Sequence, residues 1–162
     1  MNQMPERLSL YRMLERDMPQ AVAQVNGSSR VTPIQGFVRF FEAPDGGVLV
    51  ETKISGLPQE AGEARKEFYG FHIHEFGDCS ENFTETGNHY NPTNREHPMH
   101  TGDMIPLMSS DGNAWMVFYD GDLKIPEVVG KSVVVHRRPD DFTTQPSGNS
   151  GDKIACGVIF AT

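Results

Sequence analysis

Short apolar runs alternate with turn-forming residues along most of the chain. Runs typical of strands cover Ile34 to Phe41, Val48 to Ser55, Ala114 to Tyr119, Ser132 to His136 and Ile154 to Phe160. The first two runs are joined by Pro44-Asp45-Gly46-Gly47, which is typical of a hairpin turn. No long helical period interrupts this pattern after Ala21. We therefore predict one all-β domain, built as an antiparallel sandwich or barrel.

The segment Phe71–Phe76 alternates apolar residues with two histidines. Successive side chains of a strand point to opposite faces, so Phe71 and Ile73 are expected in the core. His72 and His74 would then converge on the outer surface of the sheet. There they would either bind a metal ion or remain solvated.

Histidines are concentrated in one part of the chain. Five of the six lie within the 33 residues from Phe71 to Asp103. Neutral imidazole is a common ligand for zinc and copper, so this concentration suggests metal binding. His97, His100 and Asp103 recur every third residue in a loop, and a loop can wrap such ligands around one ion. The sixth histidine, His136, ends an apolar run that is typical of a buried strand.

The number of ligands suggests that one histidine is shared. Two four-coordinate metal sites need eight ligand positions, whereas six histidines and Asp103 supply seven groups. One imidazole would therefore have to lose both ring protons and serve two ions. His89 lies between the His72 and His74 pair and the later loop, which makes it the natural candidate. Two metals are consistent with the sequence, but the sequence does not require them.

The first 19 residues differ from the β-rich remainder, and we treat them as an N-terminal extension. Their apolar residues recur at roughly helical spacing and are Leu8, Tyr11, Leu14 and Met18. This spacing predicts a short amphipathic helix, and a frayed terminal segment is the alternative. Charged residues interrupt any apolar run that could serve as a secretory signal. We expect a cytoplasmic protein, with export after removal of a signal as the alternative.

The charge balance excludes some partners. Acidic side chains outnumber basic ones by 22 to 14, and the resulting net charge of −8 argues against nucleic acid and anionic membranes as partners. No apolar run approaches the roughly 20 residues of a membrane span. An anionic substrate would need positive charge placed close to the site.

Five separated motifs resemble the copper/zinc superoxide dismutase family, in the same order, over roughly residues 20–162. They are His72–Cys79, Gly87–Pro92, His100–Asp103, Val133–His136 and Gly148–Ile159. Their agreement in order is much more specific than any one motif. The resemblance implies an antiparallel Greek-key β-barrel of about eight strands with long metal-binding and electrostatic loops. It also implies disproportionation of superoxide to dioxygen and hydrogen peroxide, with copper and zinc ions as cofactors.

Carried over to this sequence, the resemblance implies two metal sites joined through His89. The implied copper ligands are His72, His74, His89 and His136, and the implied zinc ligands are His89, His97, His100 and Asp103. Asp140 falls where the family has a carboxylate that is hydrogen-bonded to one ligand of each metal, here His72 and His97. Such outer partners fix the orientation of the ligand rings. His89 would also act in catalysis by carrying a proton.

The chain departs from the family pattern at two places. Lys153 stands where the family usually has an arginine beside the copper, and lysine keeps the charge but loses the planar fork of donors. We expect Lys153 to guide the anion and the activity to be retained, at a somewhat lower rate than with the arginine that is usual in the family. The alternative is that Lys153 is a solvated surface lysine. Arg137 and Arg138 can add to the local field, although strand alternation would point only one of them towards the site.

The second departure is the zinc loop, in which only two residues separate His97 from His100. Many family members have a longer insert there. The resemblance therefore supports copper binding more strongly than zinc binding.

Cys79 and Cys156 are the only cysteines of the chain. Two thiols in a cytoplasmic protein are usually reduced. The resemblance instead implies that they form a disulfide between the loop after His74 and the last strand. In a cytoplasmic protein this bond would be an exception to the compartment rule.

Two other functions stay open at this point. A non-catalytic copper- and zinc-binding module would be expected to lack ligands or to carry an additional Cys-x-x-Cys copper site, and this chain does neither. A zinc hydrolase is suggested by the His72 and His74 pair, but such enzymes usually have an aspartate and a histidine where Phe76 and Gly77 stand. The expected small-molecule partner is superoxide. A homodimer and a copper-loading partner are further expectations.

Overall fold

The computed structural model describes residues 5–29, 33–60 and 66–162. Nine strands form the framework of this part of the chain. They are β1 (Ala21–Gly27), β2 (Gln35–Glu42), β3 (Val48–Ser55), β4 (Lys66–Tyr69), β5 (Phe71–His74), β6 (Leu107–Ser110), β7 (Ala114–Asp120), β8 (Ser132–His136) and β9 (Lys153–Ala161). The helical segments are short, namely α1 (Arg7–Arg16), α2 (Ile125–Val128) and a 3₁₀ segment at Glu81–Thr86. Within the described ranges, no helix combines the length and the apolar character needed to cross a bilayer.

All strand pairs are antiparallel. Seven strands form one sheet in the order β5-β8-β9-β1-β2-β3-β7, and β4 pairs with β6 in a second sheet. The last strand, β9, lies between β1 and β8, which is a Greek-key arrangement. Gly70 alone separates β4 from β5, and a turn of three residues joins β6 to β7. The chain thus connects the two sheets at both edges, and the predicted antiparallel barrel is confirmed.

The strand predictions hold to within two residues at each end. The segments Val48–Ser55 and Ser132–His136 match the predicted bounds, whereas β9 is one residue longer than predicted at each end. The described residues form nine strands instead of about eight because the chain changes its pairing at Gly70, so that β4 and β5 belong to different sheets.

The core of the barrel follows from the alternation of apolar and polar residues. In β1, the buried positions Ala21, Ala23 and Val25 alternate with more exposed ones. Phe71 and Ile73 of β5 are fully buried in the same central cluster, as their spacing predicts. The side chains of His72 and His74 therefore project from the opposite face of β5, where loops cover them.

Helix α1 packs on the outer face of β2 and β3, because its partners Phe41 and Leu49 alternate along these strands with residues of the central cluster. The sequence predicted the packed face of the helix only at Leu14. Met13 packs against Phe41 and Leu49, with Leu10 and Leu14 beside it. Leu10, Met13 and Leu14 lie three and four residues apart, so they share one helical face. The prediction was wrong for Leu8, Tyr11 and Met18, because these side chains are 56%, 59% and 77% exposed. The division between an extension of residues 1–19 and a domain of residues 20–162 stays a prediction.

Candidate metal centre

The two central strands of the site present three histidines to the same side. β5 pairs with β8, so that His72 lies opposite Val134 and His74 lies opposite Ser132. His136 is the last residue of β8, where the register of the pairing with β9 shifts. All three histidines are buried, with exposed fractions of 0%, 2% and 3%. Solvated histidines, the alternative for this strand, are thereby excluded.

The loop that carries His89 is held against β5 by its backbone. Tyr90 N donates to Ile73 O, and Ile73 N donates to Gly102 O, each over 2.8 Å. A side chain at position 102 would collide with the carbonyl of Ile73, so only glycine permits this approach. The loop therefore brings His89 and Asp103 next to the strand histidines.

The resulting ligand atoms form two adjoining clusters. The ligand atoms within each cluster all lie within 4.8 Å of one another. The first cluster comprises His72, His74, His89 and His136, and the second comprises His89, His97, His100 and Asp103. His89 belongs to both, as the count of ligands suggested. The structure thus brings together all seven groups that the sequence analysis named.

The chemistry of these atoms fits metal ions. Four buried ring nitrogens make no hydrogen bond, and they are His72 Nδ1, His89 Nε2, His97 Nδ1 and His100 Nδ1. The last two lie 3.0 and 3.2 Å from one oxygen of Asp103 without the geometry of a hydrogen bond. His74 Nε2 and His136 Nε2 face each other at 3.1 Å. Burying a polar atom without a partner is costly. A cation shared within each cluster accounts for these inward-facing nitrogens.

The outer nitrogens of the rings are held by the protein. His72 Nε2 and His97 Nε2 each donate to a different oxygen of Asp140 over 2.8 Å. His74 Nδ1 donates to the carbonyl of Gly87 over 2.9 Å, and His136 Nδ1 donates to a carbonyl in the loop before β9. These bonds place the proton on the outer nitrogen and leave the inner one free for a cation. Asp140 touches the two histidines that the sequence analysis named.

Burial keeps the strand histidines neutral. It lowers the pKa of His72 to about 4, that of His136 to about 3 and that of His74 to about 2, from an ordinary value of 6.5. Burial by itself raises the pKa of Asp140, but hydrogen bonds from His72 and His97 outweigh it and hold this pKa below its ordinary value. At neutral pH the rings are therefore in the form that binds cations, and Asp140 is a carboxylate.

Cys79 and Cys156 form a disulfide, with their Cα atoms 5.7 Å apart. The bond ties the start of the 3₁₀ segment to β9, and Phe83 of that segment packs against Val134. The disulfide that the resemblance implied is confirmed.

Lys153 is half-buried and fixed by that same segment. Its Nζ donates to Thr86 Oγ1 over 2.8 Å and to the carbonyls of Gly87 and Phe83 over 3.1 and 3.3 Å. Burial lowers the pKa of this lysine. Lys153 also lines a cavity of about 630 Å³ above the clusters, which His74, His89 and His136 line as well. The alternative of a fully solvated surface lysine is therefore wrong.

The two arginines after His136 point in different directions. Arg137 lies 3.5 Å from the carboxylate of Glu67 and 3.9 Å from that of Glu60, so its charge is paired away from the clusters. The Arg138 side chain passes beside Gly151, which lines the cavity. Neither arginine lines the cavity, and Arg138 reaches only the residue Gly151 in its wall. A contribution of either arginine to the local field stays a prediction.

Two residues at the cavity escaped the sequence analysis. Arg95 lines it, and the side-chain amide of Asn91 bonds to both the N–H and the carbonyl of Arg95. Gln145 also lines it and bonds to the backbone of His97 across 48 residues. The asparagine four residues before Arg95 is a local signal for a fixed loop, but no local signal identifies Gln145.

The fold is an antiparallel barrel that carries two clusters of potential metal ligands, and the imidazole of His89 belongs to both. This arrangement is that of a protein with a two-metal centre. The family model described as copper/zinc superoxide dismutase (SODC) matches residues 34–159. The chain therefore belongs to the copper/zinc superoxide dismutase family, whose members bind copper and zinc.

The similar curated proteins fall into two groups. Superoxide dismutase [Cu-Zn] A of Xenopus laevis is 34% identical over 88% of this chain and 97% of its own length. Superoxide dismutase [Cu-Zn] 3 of Arabidopsis thaliana is 33% identical over 86% of this chain and 89% of its own length. The copper chaperone for superoxide dismutase of Sus scrofa is 32% identical over 89% of this chain but only 54% of its own length. The chain thus spans about half of the chaperone and nearly all of the dismutases.

Proposed function

We propose that the protein disproportionates superoxide, so that two superoxide anions and two protons yield one dioxygen and one hydrogen peroxide. The observation that carries this proposal is the complete cluster of four buried histidines beneath an open cavity. His72, His74, His89 and His136 would hold copper, and His89, His97, His100 and Asp103 would hold zinc. Bound copper supplies two accessible oxidation states, whereas zinc supplies no redox change.

Each residue of the centre has a separate task in this proposal. The outer hydrogen bonds to Asp140, Gly87 and Gly151 keep the rings in place. His89 Nδ1 lies 2.7 Å from Asp103 of the second cluster, whereas its Nε2 is buried without a partner. His89 also lines the cavity, so Nε2 would take up a proton and pass it to an anion there. Lys153 attracts the anion with a charge that is held beside the cavity.

Local charge has to act against the overall charge of the protein. The net charge of −8 repels an anion at long range. Lys153 and Arg95 line the cavity together with the carboxylates of Glu75 and Glu96. The positive charge of Lys153 and Arg95 can therefore act only close to each side chain. Anion guidance in this chain would therefore depend on short-range attraction.

Lys153→Arg is expected to raise the rate of superoxide removal at low salt by about two- to fivefold. The lysine ammonium spends its three donors on Thr86, Gly87 and Phe83. An arginine can keep bonds to this segment and still present a donor to the anion. Initial rates at low and high ionic strength measure the effect, and Lys153→Met serves as the variant without charge. An unchanged rate in Lys153→Arg would show that the lysine is equivalent to arginine here.

A non-catalytic copper-handling module is the second candidate, because copper chaperones are among the similar proteins. This chain spans about half of such a chaperone, and its two cysteines are joined to each other. The four-histidine cluster is complete, which favours the enzyme. A cytoplasmic location, a homodimer and a copper-loading partner stay predictions.

The test of the proposed function is the decay of superoxide generated by pulse radiolysis. Protein reconstituted with copper and zinc is compared with the metal-free protein and with protein given zinc alone. Superoxide dismutases approach the diffusional limit of roughly 10⁸ to 10⁹ M⁻¹s⁻¹, which is therefore the rate constant expected for an active member of the family. We expect fast catalysis only when copper is present. Stoichiometric copper binding without catalysis would support the copper-handling module instead.

A further inference from the structure

Gln145 holds the backbone of His97 through both ends of its side-chain amide. His97 N donates to Gln145 Oε1 over 2.9 Å, and Gln145 Nε2 donates to His97 O over 2.7 Å. The Gln145 side chain thus bonds to both the N–H and the C=O of His97, as the backbone of a neighbouring β-strand would. Both hydrogen bonds fix the position of the His97 backbone relative to the loop that follows β8.

The ring of His97 is held by the same loop. Its Nε2 donates to Asp140, five residues before Gln145. Its Nδ1 faces the second cluster, 3.0 Å from an oxygen of Asp103. Asp140 thus fixes the ring, and Gln145 fixes the backbone from which the ring extends. Together they determine where Nδ1 lies.

The loop that carries Gln145 is itself well organised. Asp141 accepts hydrogen bonds from Thr143 N and Thr144 N, and Gly148 N donates to Thr144 O. A side chain at Gly148 would collide with Asp140, so glycine is needed where this loop meets His97. Gln145 therefore extends from a hydrogen-bonded turn that places its amide against the backbone of His97.

The short zinc loop gives this contact its importance. Only Pro98 and Met99 separate His97 from His100, and Met99 is 63% exposed. His97 itself is 3% exposed, but so short a segment contributes few contacts of its own to fix its first ligand. Support from the opposite loop takes the place of that packing.

We infer that Gln145 is a positioning residue for the zinc site and sets the zinc affinity through His97. The inference rests on the proposed assignment of zinc to the second cluster and not on the proposed activity. Loss of an outer partner of a metal ligand commonly lowers metal affinity by about 10- to 100-fold. Since Gln145 is exposed to solvent, we expect about tenfold, at the low end of that range.

The test compares zinc and copper affinities of Gln145→Met with those of the native protein. Methionine has a similar volume but cannot make either hydrogen bond to the His97 backbone. Gln24→Met, at an exposed position of β1, is the matched control. Competition with a chromophoric chelator measures each dissociation constant. Cobalt bound at the zinc site reports its geometry through the visible absorption spectrum.

We expect the zinc dissociation constant of Gln145→Met to rise about tenfold while that of copper changes less than threefold. The cobalt spectrum should shift and weaken in Gln145→Met and stay unchanged in Gln24→Met. Equal zinc affinities, or a parallel loss of zinc and copper, would overturn the inference and leave the proposed activity untouched. A native protein that binds no zinc would overturn the metal assignment together with the inference.

Discussion

His136→Ala is expected to reduce superoxide removal by the reconstituted protein to the level of the metal-free protein. His136 is 3% exposed, and its Nε2 lies 3.1 Å from His74 Nε2 in the middle of the first cluster. Alanine removes one of the four nitrogens proposed to hold copper. It also removes the hydrogen bond from the ring to Gly151 O, which fixes the loop beside the cavity. Both losses act on the first cluster.

The second cluster should survive this change, because His136 does not belong to it. Copper and zinc contents after dialysis, measured by elemental analysis, should show loss of copper and retention of zinc. His100→Ala is the matched variant, since His100 belongs to the second cluster alone. It should lose zinc and spare copper. Equal loss of both metals from both variants would show that the two sites are assigned incorrectly.

Cys79→Ser is expected to lower the free energy of unfolding of the metal-free protein by about 4 to 5 kcal/mol, an upper figure from the entropy of closing a long loop. The disulfide joins residues 77 positions apart. It also keeps Phe83 packed on Val134. The 3₁₀ segment that contains Phe83 supplies two of the three acceptors of Lys153, and Gly87, the residue after it, supplies the third. Cleavage should therefore destabilise the fold and loosen the cavity wall.

Thermal unfolding of the metal-free protein measures this loss, which corresponds to a fall in Tm of roughly 10 to 20 °C for a domain of this size. The double variant Cys79→Ser with Cys156→Ser should match the single one, because either change breaks the same bond. A reductant should bring the native protein to the same Tm. A fall below about 4 °C would mean that the bond contributes no more than about 1 kcal/mol.

Much of the fold could be predicted because its signals are local. Alternation in Phe71–His74 is enough to separate the two core residues from the two histidines of the first cluster. The pairing of β5 with β8, which brings His136 to His74, is not local. In the sequence it could be inferred only through the resemblance to a family.

The contacts that tune the site were less accessible to prediction. Gln145 and His97 are 48 residues apart, and their bond involves a backbone N–H and C=O that every non-proline residue has. No residue type marks such a partner in advance. Helix α1 shows a related difficulty, since its helical spacing allows several faces and only the packing of Met13 on Phe41 selects one.

Asp140 and His89 have a consequence for how the protein uses scarce metals. Asp140 is bonded to one ring from each cluster, and His89 belongs to both. Occupancy of one cluster therefore changes the free energy of filling the other. By thermodynamic linkage, the factor by which copper alters zinc affinity equals the factor by which zinc alters copper affinity. A shortage of either ion would thus change how tightly the protein retains the other.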